Sequence, residues 1–196
     1  MKVIKLNSRQ LQARRTKERI FRCSIELVNQ YGFENVTIEE ISQKAKVSVG
    51  TFYHYYKSKR EIYVEMFKMI DVYFEETVEK ELKGCFFDKL DTFFYHYAKY
   101  NVERGLTAAS YLYGLQNEFF LDGNRHMLKL LSALIEEGIA NGQVRDDLSV
   151  ADIFAFLMTV ARGVIHDWIL NRGEFCLNER MGQYIKLIRP SLESNK

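Results

Sequence analysis

The side chains best suited to chemistry in this chain fall between Thr37 and Lys59, in the stretch TIEEISQKAKVSVGTFYHYYKSK. Hydroxyls (Thr37, Ser48, Thr51, Tyr53, Tyr55), ammonium groups (Lys46, Lys59) and one imidazole (His54) are interleaved there with apolar residues. Such groups suit phosphate oxygens, which they hydrogen-bond or neutralise without reading a base sequence. Helix starts add to the attraction, because a helix N-terminus offers unpaired N–H groups and a partial positive charge. Thr37, Ser48 and Lys59 each mark such a start.

Other chemistries lack their residues. His54, His96, His126 and His166 are spread singly, with no H-x-x-x-H or C-x-x-C spacing, so no metal site is expected. Cys23, Cys85 and Cys176 are scattered and odd in number, which is no disulfide framework. There is no G-x-S-x-G, no P-loop and no glycine-rich dinucleotide fingerprint. Glu75–Glu76 and Glu136–Glu137 are neighbours on helix surfaces and point apart. Nothing joins a nucleophile to a base, so neither an enzyme nor a cofactor is expected.

The elements that carry the 37–59 stretch can be read from their caps. Thr37 and Glu40 form a capping box, and Ile38, Ile41 and Ala45 then share one helical face. That helix ends near Lys46, and Val47 fills the gap before the next. Ser48 caps a second helix whose first turn, Val49-Gly50-Thr51, is small enough to let its backbone approach a groove floor. Phe52 and Tyr56, four apart, face inward, with Tyr53, His54 and Tyr55 on the other side. Ser58 with Glu61 gives a further capping box for a third start. Two short capped helices with an aromatic and basic outer side predict a helix-turn-helix aimed at double-stranded DNA.

Residues 14–60 resemble the DNA-binding domain of the tetracycline-repressor (TetR) family, whose pattern runs T-I-x-x-I-A-x-x-A-G-V-S-x-G-T-[LF]-Y-x-[HY]-F-x-[SN]-K. The resemblance implies phosphate contacts from Thr37, Thr51, Tyr53 and Lys59, and groove-facing positions at Ser48, Val49, Gly50 and His54. Three departures stand out. Lys46 occupies a glycine position, which strains the turn or adds a phosphate contact. Tyr55 replaces the commoner histidine and keeps a donor there. Tyr56 replaces a core phenylalanine, so its hydroxyl needs a partner.

Charge supports this division of labour. Residues 1–60 hold 13 Lys/Arg against 5 Asp/Glu, and residues 61–196 hold 15 against 21, so a basic head precedes an acidic body. A first helix is expected from about Arg9 to Tyr31, with Ile20, Phe21, Ser24, Leu27, Val28 and Tyr31 inward and Gly32 as its stop. Its early cations Arg9, Arg14, Arg15 and Lys17 would flank the duplex. From Lys59 to about Leu82 the apolar spacing predicts one long helix closed by Gly84, a lever from head to body.

The body reads as all helix, without sustained strand alternation. Segments end near Gly105, Gly114 and Gly142, Asn124 caps the third of them, and Ser149 with Asp152 opens another. That next helix, 150–171, is apolar on nearly every side and must be covered on more than one face. The fold class expected is therefore all-α: a three-helix helix-turn-helix domain over residues 1–58, and a larger effector-binding and dimerisation domain over 59–196.

What the resemblance implies for the body is a homodimer and an effector. The last two helices would pair with their copies through Phe156, Val160, Gly163, Val164, Tyr184 and Ile188, and a two-fold protein matches an inverted-repeat operator. A small apolar or amphipathic effector would sit among Phe93, Phe94, Tyr97, Tyr113, Asn117 and Phe120 and shift the DNA-binding equilibrium. The longest uncharged apolar run, residues 153–161, is short of the ~20 residues a bilayer takes, and no signal peptide is visible, so no membrane partner and a cytoplasmic location are expected. The function implied is a ligand-responsive repressor. The alternative is an activator or adaptor of the same fold that answers to a partner protein.

Overall fold

The computed structural model describes residues 7–114 and 125–194. Among these residues the structure is helical, with one isolated bridge between Val144 and Glu193 in place of any sheet. The chain divides into two compact units, residues 1–66 and 67–196.

The first unit holds α1 (Ser8–Tyr31), α2 (Ile38–Lys44), α3 (Val49–Tyr55) and the beginning of α4 (Lys59–Tyr73). Asn7 starts α1 through a capping box with Gln10, and Gly32 ends it at φ +83°, a conformation that favours glycine. The core is a knot of Ile20, Phe21, Ile25, Val28, Val36, Ile41, Ala45, Phe52, Tyr56 and Ile62, all buried. Tyr31, expected on the inner side of α1, is instead 54% exposed as the last residue of the helix, next to the Gly32 stop. The Tyr56 hydroxyl has the partner it needs: it donates to the Lys17 carbonyl at 3.3 Å.

The second unit is a bundle around α6 (Phe86–Arg104), with α7 (Leu106–Gly114), α8 (His126–Ala140), α9 (Val150–Leu170) and α10 (Leu177–Ile188). The expected single helix from Lys59 to Leu82 is interrupted. Tyr73 ends α4, a π-helical turn covers Phe74–Val78, and the three-residue α5 (Glu79–Glu81) follows. A π turn inserts an extra residue into the ladder and re-aims the side chains after it. Here both Phe74 and Val78 end up buried in the bundle core. His96, itself buried, holds the two sides of this turn. Its Nε2 donates to the Glu81 carboxylate at 2.9 Å, which leaves Nδ1 to accept from the Tyr73 hydroxyl.

Asp71, two residues before Tyr73, does similar work beside the same turn. Its carboxylate accepts from the Met127 backbone N–H and from Arg125 Nε, both at 3.0 Å, which anchors the start of α8. Arg125 stands at the N-cap position, while the expected cap Asn124 lies outside the described residues. By length and apolar composition α9 could cross a membrane. One side of it is core all the same, with Ile153, Leu157, Met158, Ala161, Val164, Ile165 and Trp168 buried.

Candidate nucleic-acid interface

The turn between α2 and α3 is built by the backbone. Val47 N–H donates to the Ser42 carbonyl at 2.9 Å and Lys46 N–H to that of Gln43 at 3.1 Å, the paired bonds of a Schellman helix ending. That motif places the residue after the cap in the left-handed region, where glycine is usual. Lys46 fills it with φ +53°, so the strain expected from the sequence is present. Its side chain is exposed beside the turn.

Ser48 then caps α3. Its Oγ accepts from Thr51 N–H at 3.0 Å and lies 2.8 Å from Thr51 Oγ1. Unlike α2, α3 has no acidic side chain in its first turn, so its positive end stays uncompensated. Phe52 (0% exposed) and Tyr56 (1%) anchor the helix. Gly50, Tyr53 and His54 are carried to the outside together, Tyr53 at 52% exposure. Val49, Thr51 and Tyr55 are half-buried at the margins, and the His54 and Tyr55 rings meet edge to face at 4.9 Å. The outer face of α3 is thus a small-residue first turn followed by a tyrosine, a histidine and, past the helix end, the exposed Lys57.

Two expected phosphate seats are occupied from within. At α2, Thr37 N–H and Thr37 Oγ1 both donate to Glu40 Oε2, at 2.8 and 2.9 Å, and Glu40 N–H returns a bond to the hydroxyl at 3.2 Å. These bonds hold the Glu40 carboxyl below its ordinary range, the backbone donor first, so a carboxylate already sits at the positive end of α2. At α4, Lys59 Nζ donates to the carbonyls of Phe33 and Val36, the latter at 2.6 Å, and lies 4.2 Å from the Phe33 ring centroid. The Ser58–Glu61 box takes another form, in which Glu61 accepts from the Lys57 backbone N–H.

Of the α1 cations, Arg9 and Arg15 are exposed and Arg14 pairs with Glu18 at 2.8 Å. Lys17 is drawn inward instead, with Nζ 2.6 Å from Glu65 Oε1 and 5.6 Å from the Tyr56 ring centroid.

In the body, Phe93, Phe94 and Tyr97 are buried, and Phe93 packs against Phe74 and Phe94 with centroids 4.8 and 5.2 Å apart. The Tyr97 and Tyr113 hydroxyls are 2.9 Å apart, and burial pushes the Tyr113 hydroxyl well above its ordinary range. Asn101 spends its amide on the Tyr97 carbonyl. Asn117 and Phe120 lie outside the described residues. A cavity of about 210 Å³ between α6 and α10 is bordered by Phe94, Asp91, Ile185 and Lys186. A larger open groove of about 520 Å³ runs along α8 and α9 between Leu128, Phe154, Met158 and Arg162, which no sequence spacing announced.

On the outer side of α9 and α10, Phe156 (42% exposed), Tyr184 (40%) and Leu187 (74%) face solvent, with Val160 and Ile188 half-buried beside them. Gly163 opens onto free space. Val164, by contrast, is 4% exposed inside its own bundle.

A capped recognition helix with a polar aromatic outer face, set on a basic head and followed by a helical body, defines a helix-turn-helix DNA-binding protein. Residues 20–66 match the family model of bacterial regulatory proteins, tetR family. The transposon Tn10 TetC protein of Escherichia coli is 26% identical over 174 residues, 84% of either chain. The fatty acid metabolism regulator protein of Bacillus subtilis (strain 168) is 22% identical over 177 residues, 86% of this chain and 91% of that one. In fold, the body and head follow the transcriptional regulator FadR from Bacillus subtilis in complex with stearoyl-CoA, with a TM-score of 0.74 at 21% identity over 87% of this chain and 96% of that one. The chain thus carries a domain of the tetR family of bacterial regulatory proteins at residues 20–66, and it is similar to the two relatives above over most of their length.

Proposed function

We propose that this chain works as a homodimeric repressor that binds an inverted-repeat operator and releases it on binding a small amphipathic effector. The observation that carries the DNA side is the outer face of α3, where Gly50, Tyr53 and His54 stand exposed over the buried Phe52 and Tyr56. Ser48, Val49 and Gly50 let the helix start approach the groove floor, His54 faces base edges, and Thr51, Tyr53 and Tyr55 address the phosphates with the Thr37 region at their flank. Lys46 adds an exposed charge at the turn.

The dimer is supported by the apolar outer side of α9 and α10, where Phe156, Val160, Gly163, Tyr184 and Ile188 share exposure. Val164 supports it from beneath, by packing α9 into its own core. Phe156→Glu should therefore turn the protein monomeric in sedimentation at micromolar concentration without unfolding it. A wild-type monomer under those conditions would refute the dimer.

For the effector, the relatives concerned with fatty acid metabolism and the stearoyl-CoA complex of a protein of the same fold support an acyl-CoA thioester. It combines a long apolar tail with an anionic head, matching the amphipathic class read from the aromatic body. Titrating an operator-bound protein with acyl-CoAs of increasing chain length, by fluorescence anisotropy, tests this. Release by long-chain thioesters and not by free CoA is the expected result, and a full series without release refutes it. One observation favours the partner-protein reading instead: the groove along α8 and α9 is open to solvent rather than enclosed. Retention of operator affinity with every acyl-CoA would turn attention to that groove.

A further inference from the structure

An effector that joins an apolar tail to an anionic head needs a place for each, and the aromatic interior of the body suits only the tail. The groove along α8 and α9 has a different character. Its floor is apolar: Leu128 and Met158, 4% and 2% exposed, belong to the same core as Phe93, Phe94 and Tyr97. Its rim is charged, and unevenly so. The short connection over residues 141–149 sets α8 and α9 antiparallel, so Lys129 near the start of α8 comes level with Arg162 late in α9. Glu136 lies two turns further along α8, roughly 10 Å away, at the end of the groove that Phe154 borders. At that separation salt screens most of its pull on the cationic end.

Both cations at that end are placed to act. Lys129 is exposed and makes no ion pair among the described residues. Arg162 borders the groove, and together with Arg125 its charge acts on the Tyr113 hydroxyl, against the burial that raises it. Tyr113 in turn meets Tyr97, hydroxyl to hydroxyl, at 2.9 Å. Arg162 is thus shared by the open groove and the tyrosine pair of the interior.

We propose that the cationic end of the α8–α9 groove, formed by Lys129 and Arg162, seats the phosphate-bearing head of an acyl-CoA thioester, with the acyl tail turned toward Tyr97 and Tyr113. This rests on the acyl-CoA reading given above and assigns that ligand a place in this chain. Charge complementarity carries it: two cations at one end attract a polyanion, and the apolar floor beyond them offers a surface to its nucleoside. The opening to solvent suits the same ligand. A head with several phosphate charges is costly to bury, and a site reached from water lets it keep much of its hydration. At about 520 Å³ the groove lies within the range of ordinary small-molecule sites. A purely apolar effector would have no use for either cation.

Two probes with the same tail separate head from tail: lauroyl-CoA, and the lauroyl thioester of N-acetylcysteamine, which lacks every phosphate. Binding of each to the full chain is measured by isothermal titration calorimetry for wild type, Lys129→Glu and Arg162→Gln. Wild type should bind lauroyl-CoA the more tightly of the two, with a preference that shrinks as salt rises. Lys129→Glu should weaken lauroyl-CoA roughly ten-fold, the size of one charge-assisted contact, and leave the phosphate-free probe unchanged. Lys129 is exposed, so this variant decides the matter even where Arg162→Gln unfolds. Weakening of both probes equally, or of neither, overturns the proposal, and an unaffected groove passes to the partner-protein reading. Equal or weaker binding of lauroyl-CoA to wild type overturns it too. If neither probe binds wild type, the acyl-CoA reading fails and takes the proposal with it. If both bind and only the Lys129 effect is missing, the acyl-CoA reading stands and the seat alone is wrong.

Discussion

Lys46→Gly should stabilise this protein while weakening its hold on DNA, and the two effects can be measured apart. Lys46 sits at φ +53° in the position after the α2 cap, held there by the bonds from Val47 to Ser42 and from Lys46 to Gln43. A side chain in that region costs roughly 1–2 kcal/mol relative to a residue without Cβ. Glycine returns about 0.5–1 kcal/mol of that through the extra freedom of its unfolded chain. The net gain is therefore roughly 0.5–1 kcal/mol, worth about 1–4 °C in Tm for a chain of this size. Lys46→Ala is the control, because it removes the same charge but stays strained. Thermal unfolding by circular dichroism should rank Gly above wild type, and wild type level with Ala. If Lys46 reaches a phosphate, both variants should lose about 0.9 in the slope of log affinity against log salt. A glycine variant no more stable than the alanine variant would refute the strain argument.

Three further outcomes follow from particular contacts. Gly138→Ala should cost about 1–3 kcal/mol, since the new Cβ would stand 2.7 Å from both Phe86 and Val144 side chains; an unchanged denaturation midpoint would contradict that packing. Ser42→Ala should gain about 1 kcal/mol, because Ser42 is 2% exposed and its hydroxyl has no partner among the described residues; a destabilised variant would reveal a partner that matters. The Glu40 carboxyl is held below its ordinary value by Thr37, so its contribution is complete above the ordinary carboxylate range and is lost as pH falls through the depressed folded value. Glu40→Ala should accordingly flatten the acid limb of the stability–pH profile, and an identical acid limb in the variant would remove Glu40 from that role.

What the sequence made legible was mostly local. The Thr37 and Ser48 caps, the helix endings at Gly32 and Gly105 and the strain at Lys46 each depend on residues within a turn of one another, so their spacing announced them. The inward direction of Phe52 and Tyr56 was legible for the same reason. Features that depend on distant partners were not. Lys59 was expected at a phosphate, and nothing within a turn of it announced the carbonyls of Phe33 and Val36 that its ammonium group meets. The π turn at Phe74–Val78 has no residue signature, since Phe74 and Val78, four apart and both buried, would share the inner face of an uninterrupted α-helix as well. Lys17 reads as part of a basic arm, yet Glu65, 48 residues on, draws it inward. In the body, aromatic residues at helical spacing served core packing first. Phe93 and Phe94 fill the bundle, and the larger groove formed between α8 and α9, where small and mixed residues left room.

The central claim is that the outer face of α3 reads a two-fold DNA site, and selection from a pool of randomised duplexes tests it most directly. Wild-type protein should enrich an inverted repeat whose half-sites are centred roughly 34–36 Å apart or slightly more, one helical turn or a little beyond. Tyr53→Ala and His54→Ala should abolish the enrichment while the proteins remain folded by circular dichroism. Enrichment of no sequence above the starting pool, or an unchanged enriched site with both variants, would contradict the account.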